Sequence, residues 1–137
     1  MDHTADVAIE TEATTAGGCL EEAALALTEL LAGRAAHTLT PDRELAFRVE
    51  APDLEALAVA FLAELVWLQQ AEDALWLGGG ILVEQAGAGW SAVARGNGLR
   101  HDGARHGRGV EVKAVTYHGV RFERAKAGWA LRVVLDL

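Results

Sequence analysis

The chain has 137 residues, 51% of them hydrophobic, with 20 acids against 12 bases for a net charge of -8. That is long enough for a single domain, residues 1–137, with a substantial core, and too apolar for a disordered chain. The acidic balance repels phosphate backbones and argues against a direct nucleic-acid binder. Charges interrupt every apolar run, so no segment is expected to span a bilayer, and no basic-then-apolar leader opens the chain. Cys19 is the only cysteine and has no disulfide partner in the chain, so the cytoplasm is the expected compartment.

In chain order, residues 5–10 alternate, with Val7 and Ile9 on one face and Asp6, Ala8 and Glu10 on the other, the period of a half-buried strand. Gly17 and Gly18 read as a turn. Leu20, Ala23, Ala24, Leu27, Leu30 and Leu31 then form one helical stripe, with Glu21 and Glu22 near its positive end and Gly33 as its stop. Leu45, Phe47 and Val49 alternate with charged residues in a second strand, and Pro52 ends it and opens a second helix. The stripe of that helix is Leu54, Leu57, Ala58, Phe61, Leu62, Leu65 and Leu68, with Trp67 just off it.

Beyond Asp73, frequent glycines favour strands and hairpins over helices. Residues 75–84 and 90–95 read as a hairpin, 99–109 as an exposed loop, and 110–124 and 129–136 as the last two strands. The order β-α-β-α-β-β-β-β predicts an α+β fold, two helices packed on one face of a mainly antiparallel six-stranded sheet. If Val7, Ile9, Phe47 and Val49 face the helices, then Asp6, Glu10, Glu44, Arg48, Glu50, Arg132 and Asp136 share the other face. If the terminal strands are also neighbours, Asp6 and Asp136 meet, with a main-chain oxygen of Leu137 beside them.

No phosphate loop, zinc motif, nucleophile elbow or dinucleotide fingerprint is present. Gly78-Gly79-Gly80 lacks the lysine and following helix of a P-loop and reads as a turn. The four tryptophans read as core or edge packing, not as a base-stacking platform. His101 and His106 flank a glycine-rich loop as a candidate ligand pair, but the absence of cysteines or further histidines nearby argues against zinc. Cys19 at a helix start has no adjacent base in sequence and reads as a buried structural thiol. On pattern alone, Lys113 is more readily a surface lysine than a phosphate ligand, and His118, beside Tyr117 where a strand bends at Gly119, more readily a packing residue.

Several stretches in fixed order carry a family resemblance. The opening DHTADVAI, the helix DLEALAVAFLAELVWL, the strand VKAVTYHGV and the closing GWALRVVLDL resemble archease over nearly the whole chain. Asp102 and His106 are similar to that family's aspartate-and-histidine loop. The chain departs from the family pattern in having Met1 directly before Asp2, Ala63 where an asparagine is usual and Leu99 where a glutamate is frequent.

The resemblance implies a non-catalytic activator of the GTP-dependent tRNA-splicing RNA ligase, which promotes the ligase's guanylylation and multiple turnover and meets RNA only through it. It also implies a divalent metal, calcium in the family, held by Asp6, Asp136 and Leu137, with Lys113 and His118 as candidates to face the ligase. Two carboxylates and a main-chain oxygen form a hard, all-oxygen set suited to calcium, magnesium or manganese, and too small to fill a calcium shell without water or a partner's ligand. A stand-alone metal-dependent hydrolase or nuclease, with Asp6 and Asp136 as ligands and His106 or His118 as acid or base, is the alternative. It is disfavoured because such chemistry ordinarily needs more ligands and a recognisable base.

Overall fold

The computed structural model describes residues 5–137; Asp2, His3 and Thr4 of the opening motif lie outside the described residues. The elements are β1 (Asp6–Ala13), α1 (Ala16–Ala32), a 3-10 turn (Ala36–Thr38), β2 (Arg43–Ala51), α2 (Leu54–Glu72), β3 (Ala74–Ala86), β4 (Gly89–Arg100), a four-residue helix α3 (Gly103–His106), β5 (Ala114–Ala125) and β6 (Gly128–Asp136). The fold is α+β, but its six strands form two antiparallel sheets of three, ordered β1-β6-β5 and β2-β4-β3, where the alternation suggested one sheet. Side-chain period reveals which face of a strand is buried and carries no information on which strands share hydrogen bonds. Each long helix packs on strands of both sheets, α1 on β1 and β3 and α2 on β5 and β2, so one apolar cluster serves the whole assembly.

The predicted apolar faces are observed, but Glu44, Arg48 and Glu50 belong to the other sheet and share no face with Asp6 and Asp136, and Val134 on the polar side of β6 is buried too. Ile9 is buried while Asp6, Ala8 and Glu10 are exposed, and in β6 Leu131, Val133 and Leu135 are buried. Phe61 at the centre of α2 is fully buried, its ring 5.3 Å from Phe47 on β2, and Phe47 in turn meets Trp76 edge-on at 6.1 Å. By length and mean hydropathy α2 could cross a membrane, contrary to the expectation from interrupted runs. Seven of its residues are buried instead, although Trp67 stands 51% exposed, outside the core.

Several local readings change. Gly17 and Gly18 are no turn: Thr15 caps α1, accepting from Gly18 N, and both glycines lie in the first helical turn. A side chain on Gly17 would overlap the carbonyl of Ile81, so its role is the close approach of α1 to β3. Glu21 and Glu22 therefore lie beyond the first turn. Pro52 precedes rather than opens α2, whose cap is Asp53, accepting from Ala56 N at 2.8 Å. Gly78-Gly79-Gly80 is strand, not turn; β3 bulges between Trp76 and Gly78, and Gly79 crosses Gly96 of β4 too closely for a side chain on either.

The 99–109 segment is only partly loop. Leu99 and Arg100 complete β4, Asp102 caps α3, and the last strand pair starts at Ala114 rather than near residue 110.

Candidate functional site

β1 and β6 run antiparallel in a register that sets Asp6 directly opposite Asp136. Leu137 N donates to Ala5 O at 2.9 Å, which makes residues 5 and 137 a hydrogen-bonded pair and Asp6 with Asp136 the adjacent non-hydrogen-bonded pair. That is the closer kind, with Cα atoms about 4.5 Å apart and both side chains on one face. Four residues up the same ladder, Glu10 opposes Arg132, and there Arg132 Nε donates to Glu10 Oε1 at 3.0 Å. The geometry that brings those opposite charges into contact sets two like charges together at the strand ends. Among the described residues neither terminal carboxylate has a hydrogen-bond or ion-pair partner.

Lys113 lies just outside β5 and is joined to the same corner through its main chain, its N–H donating to Asp136 O at 2.8 Å. Its side chain is exposed. His118 is further away. It is exposed on β5, five residues on and thus up to about 16 Å along extended chain. It falls where pairing with β6 is interrupted between Thr116 and Arg121 and Gly119 takes a positive φ of 63°. The register thus brings Asp6, Asp136, Leu137 and the backbone of Lys113 together, and leaves His118 outside that corner.

The donor set fits a hard divalent cation: two carboxylates in direct opposition, without partners among the described residues, and a main-chain oxygen at the adjoining Leu137. Among the described residues no three acidic, histidine or cysteine side chains cluster as a metal site, so these carboxylates would hold an ion only in part.

The two histidines of the 99–109 segment are structural. His101 is buried, its Nε2 2.7 Å from Gly107 O and its Nδ1 3.3 Å from Gln69 Nε2, which assigns the Nε2–H tautomer and leaves no lone pair for a metal. His106 Nδ1 accepts from Asp102 N at 3.0 Å, and the Asp102 carboxylate accepts from Ala104 N. Ala63 is exposed on α2, and Leu99 is fully buried in the core, so position 99 has only a packing role in this chain.

Sequence reasoning missed a second feature, a cleft of about 780 Å³ between the end of α1, the start of β2, the end of β4 and α3. Its basic residues are spread from position 34 to 108, and no linear motif announces them. Asp42 on its wall has its carboxyl held below the ordinary range, chiefly by Arg43, whose Nε donates to Oδ1 at 2.8 Å, against some desolvation, and with help from Arg100 N.

Two helices laid across two antiparallel sheets, with the terminal strands paired and an acid from each at the shared end, define a small α+β protein with an acidic strand-end corner. The archease protein family model matches residues 1–137. Protein archease of Pyrococcus furiosus is 31% identical over 99% of this chain and 95% of its own length, and that of Methanopyrus kandleri 32% identical over 100% and 96%. In fold the chain is similar to the solution structure of Methanobacterium thermoautotrophicum protein 1598, with TM-score 0.76 and 22% identity over 100% of this chain and 94% of that one. A Thermotoga maritima crystal structure described as an archease, possible chaperone, superposes with TM-score 0.59 at 22% identity over the same shares. The chain belongs to the archease family.

Proposed function

We propose that this protein is a non-catalytic activator of the GTP-dependent tRNA-splicing RNA ligase, working in the cytoplasm, which promotes the ligase's guanylylation and its multiple turnover. The acidic corner is the working surface. Asp6, Asp136 and a main-chain oxygen of Leu137 would hold a divalent cation, calcium, magnesium or manganese, supplying positive charge where the partner handles phosphate. The observation that carries this reading is the direct opposition of Asp6 and Asp136 in a non-hydrogen-bonded pair, with neither carboxylate partnered among the described residues. An antiparallel pair with like charges opposed is unfavourable by itself, so a function that uses the repulsion accounts for it better than stability does. Lys113, hydrogen-bonded through its backbone to Asp136, adjoins that corner, and His118 is the more distant ligase-facing candidate.

The test follows guanylylated ligase over time in GTP and manganese, and ligation at substoichiometric protein, with parent and variants. Asp6→Asn and Asp136→Asn are expected to keep the fold and to lose stimulation. In melts they should gain about 0.2–1 kcal/mol from relieved repulsion and lose the calcium-dependent rise of the parent. Glu50→Gln, on the exposed face of β2, should behave as the parent. Stimulation by either Asn variant at the parent's level would sink the proposal. Turnover of RNA or GTP by the purified protein alone would favour a stand-alone hydrolase or nuclease.

A further inference from the structure

The basic cleft beside α3 lies at the same end of the molecule as the acidic corner. Gly109 N and Val110 N donate to the carbonyls of Leu31 and Leu30 at 2.9 Å each, and Lys113 N then reaches Asp136 O, so five residues of chain, at most about 18 Å, separate Arg108 from Lys113. Arg34, Arg43, Arg100, Arg105 and Arg108 line the cleft, five of the 12 basic residues of a chain whose net charge is -8. Against Asp42 and Asp102 they leave three positive charges, with the histidines neutral. Among the described residues only Arg43 of the five has a carboxylate within ion-pair distance.

The walls are fixed by contacts that do not consume this charge. Arg34 Nε and Nη2 bond Thr38 Oγ1 and O at 2.9 and 3.0 Å, and Asp42 ties β2 to β4 by accepting from Arg100 N at 3.2 Å. The 107–109 backbone lies against the end of α1, where a side chain on Gly109 would overlap Leu30 O. The negative end of the α1 dipole accounts for one or two nearby cations, not for five. Arginines brought from four separate segments to line one cleft repel one another, and the arrangement becomes favourable when an anion of matching charge sits among them.

We infer that this cleft binds an oligophosphate, two or more linked phosphoryl groups, either free or as the phosphate chain of a nucleotide. Its volume lies within the range of small-ligand sites, about 300–1,000 Å³. Planar guanidiniums grip phosphate oxygens in forked pairs; Arg34 and Arg43 already spend Nε donors on Thr38 and Asp42, while Arg100, Arg105 and Arg108 have no side-chain hydrogen bond among the described residues and together offer more donors than one phosphate group has oxygens. Three net charges match a di- or triphosphate. The site is separate from the proposed metal corner, and its test does not depend on the ligase.

Titration calorimetry of the folded protein would use pyrophosphate, tripolyphosphate, ATP and GTP at low and physiological salt, with a single-stranded RNA bearing no terminal phosphate as comparison. The parent should bind tripolyphosphate and be raised in Tm by it. Arg100→Ala and Arg105→Ala should each weaken binding about tenfold or more. Arg105→Lys, which keeps charge and loses the fork, should fall between Ala and parent, and Arg48→Ala, outside the cleft, should change nothing. Equal affinity for tripolyphosphate and nucleotides would show that phosphate alone is read, and tighter nucleotide binding that the base contributes. Absence of binding by the parent at millimolar ligand, undiminished binding by both alanine variants with unchanged melts, or RNA binding that tripolyphosphate does not displace would overturn the inference.

Discussion

Glu21 illustrates how a single side chain acquires a role that its position in the sequence does not suggest. It reads as an acid near the positive end of α1, yet it lies beyond the first turn and reaches across to β3, accepting from Trp76 Nε1 at 2.9 Å and Gly79 N at 3.1 Å. Burial raises its pKa, more than those two bonds lower it, and neighbouring Glu22 adds to the rise. With the folded pKa above the unfolded one, the native state binds more protons in that window, so the group's contribution to stability is present at acid pH and lost as pH rises through the folded pKa. Glu21→Gln removes the titration. Urea melts at a series of pH values should therefore show the parent losing stability relative to the variant from about pH 4 towards neutrality. A difference that is flat in pH would mean that Glu21 ionises at no cost to the fold.

At the scale of elements, helix phase governs most. In α2 the stripe seen in the sequence is the buried face, with Phe61 and Leu62 fully enclosed and Leu65 at 5% exposure. Phe61 connects α2 to β2 through Phe47, and Phe47 continues the contact to Trp76 on β3. Phe61→Ala leaves a cavity where three elements meet and is expected to cost about 3–5 kcal/mol, a large share of the stability of a domain of this size. Chemical denaturation would measure it, and a loss under about 1 kcal/mol would assign the ring to a surface role. Glycines at close approaches act differently. Gly17 and the Gly79–Gly96 crossing are places where main chain touches main chain, which residue type alone leaves indistinguishable from a turn.

For the whole molecule, the two sheets share no strand, and α1 and α2 each pack on both. Neither sheet can lose its helices without uncovering the other, so unfolding should be one cooperative event. Cys19 reports on it. The thiol is fully buried, and burial pushes its pKa up against the opposing hydrogen bond to Thr11, so it should react with an aromatic disulfide reagent only on opening. Its labelling in rising urea should coincide with the transitions in circular dichroism and tryptophan fluorescence. Labelling well before them would show the α1 end detaching alone.

Composition and period alone determined the α+β class, the number and order of the main elements, the buried stripe of each helix and the wet face carrying Asp6 and Asp136, because burial imposes a 3.6- or 2-residue rhythm on the chain itself. The motifs at both ends carried the family. Tertiary structure decided what depends on pairing between distant segments. It divided the strands into two sheets, set Asp6 against Asp136 in the closer kind of pair, enclosed His101 and left Trp67 exposed. It also gathered five arginines, scattered over positions 34 to 108, into one cleft. Register and convergence are set by hydrogen bonds and packing between residues far apart in sequence, and a local pattern carries no record of its distant partner.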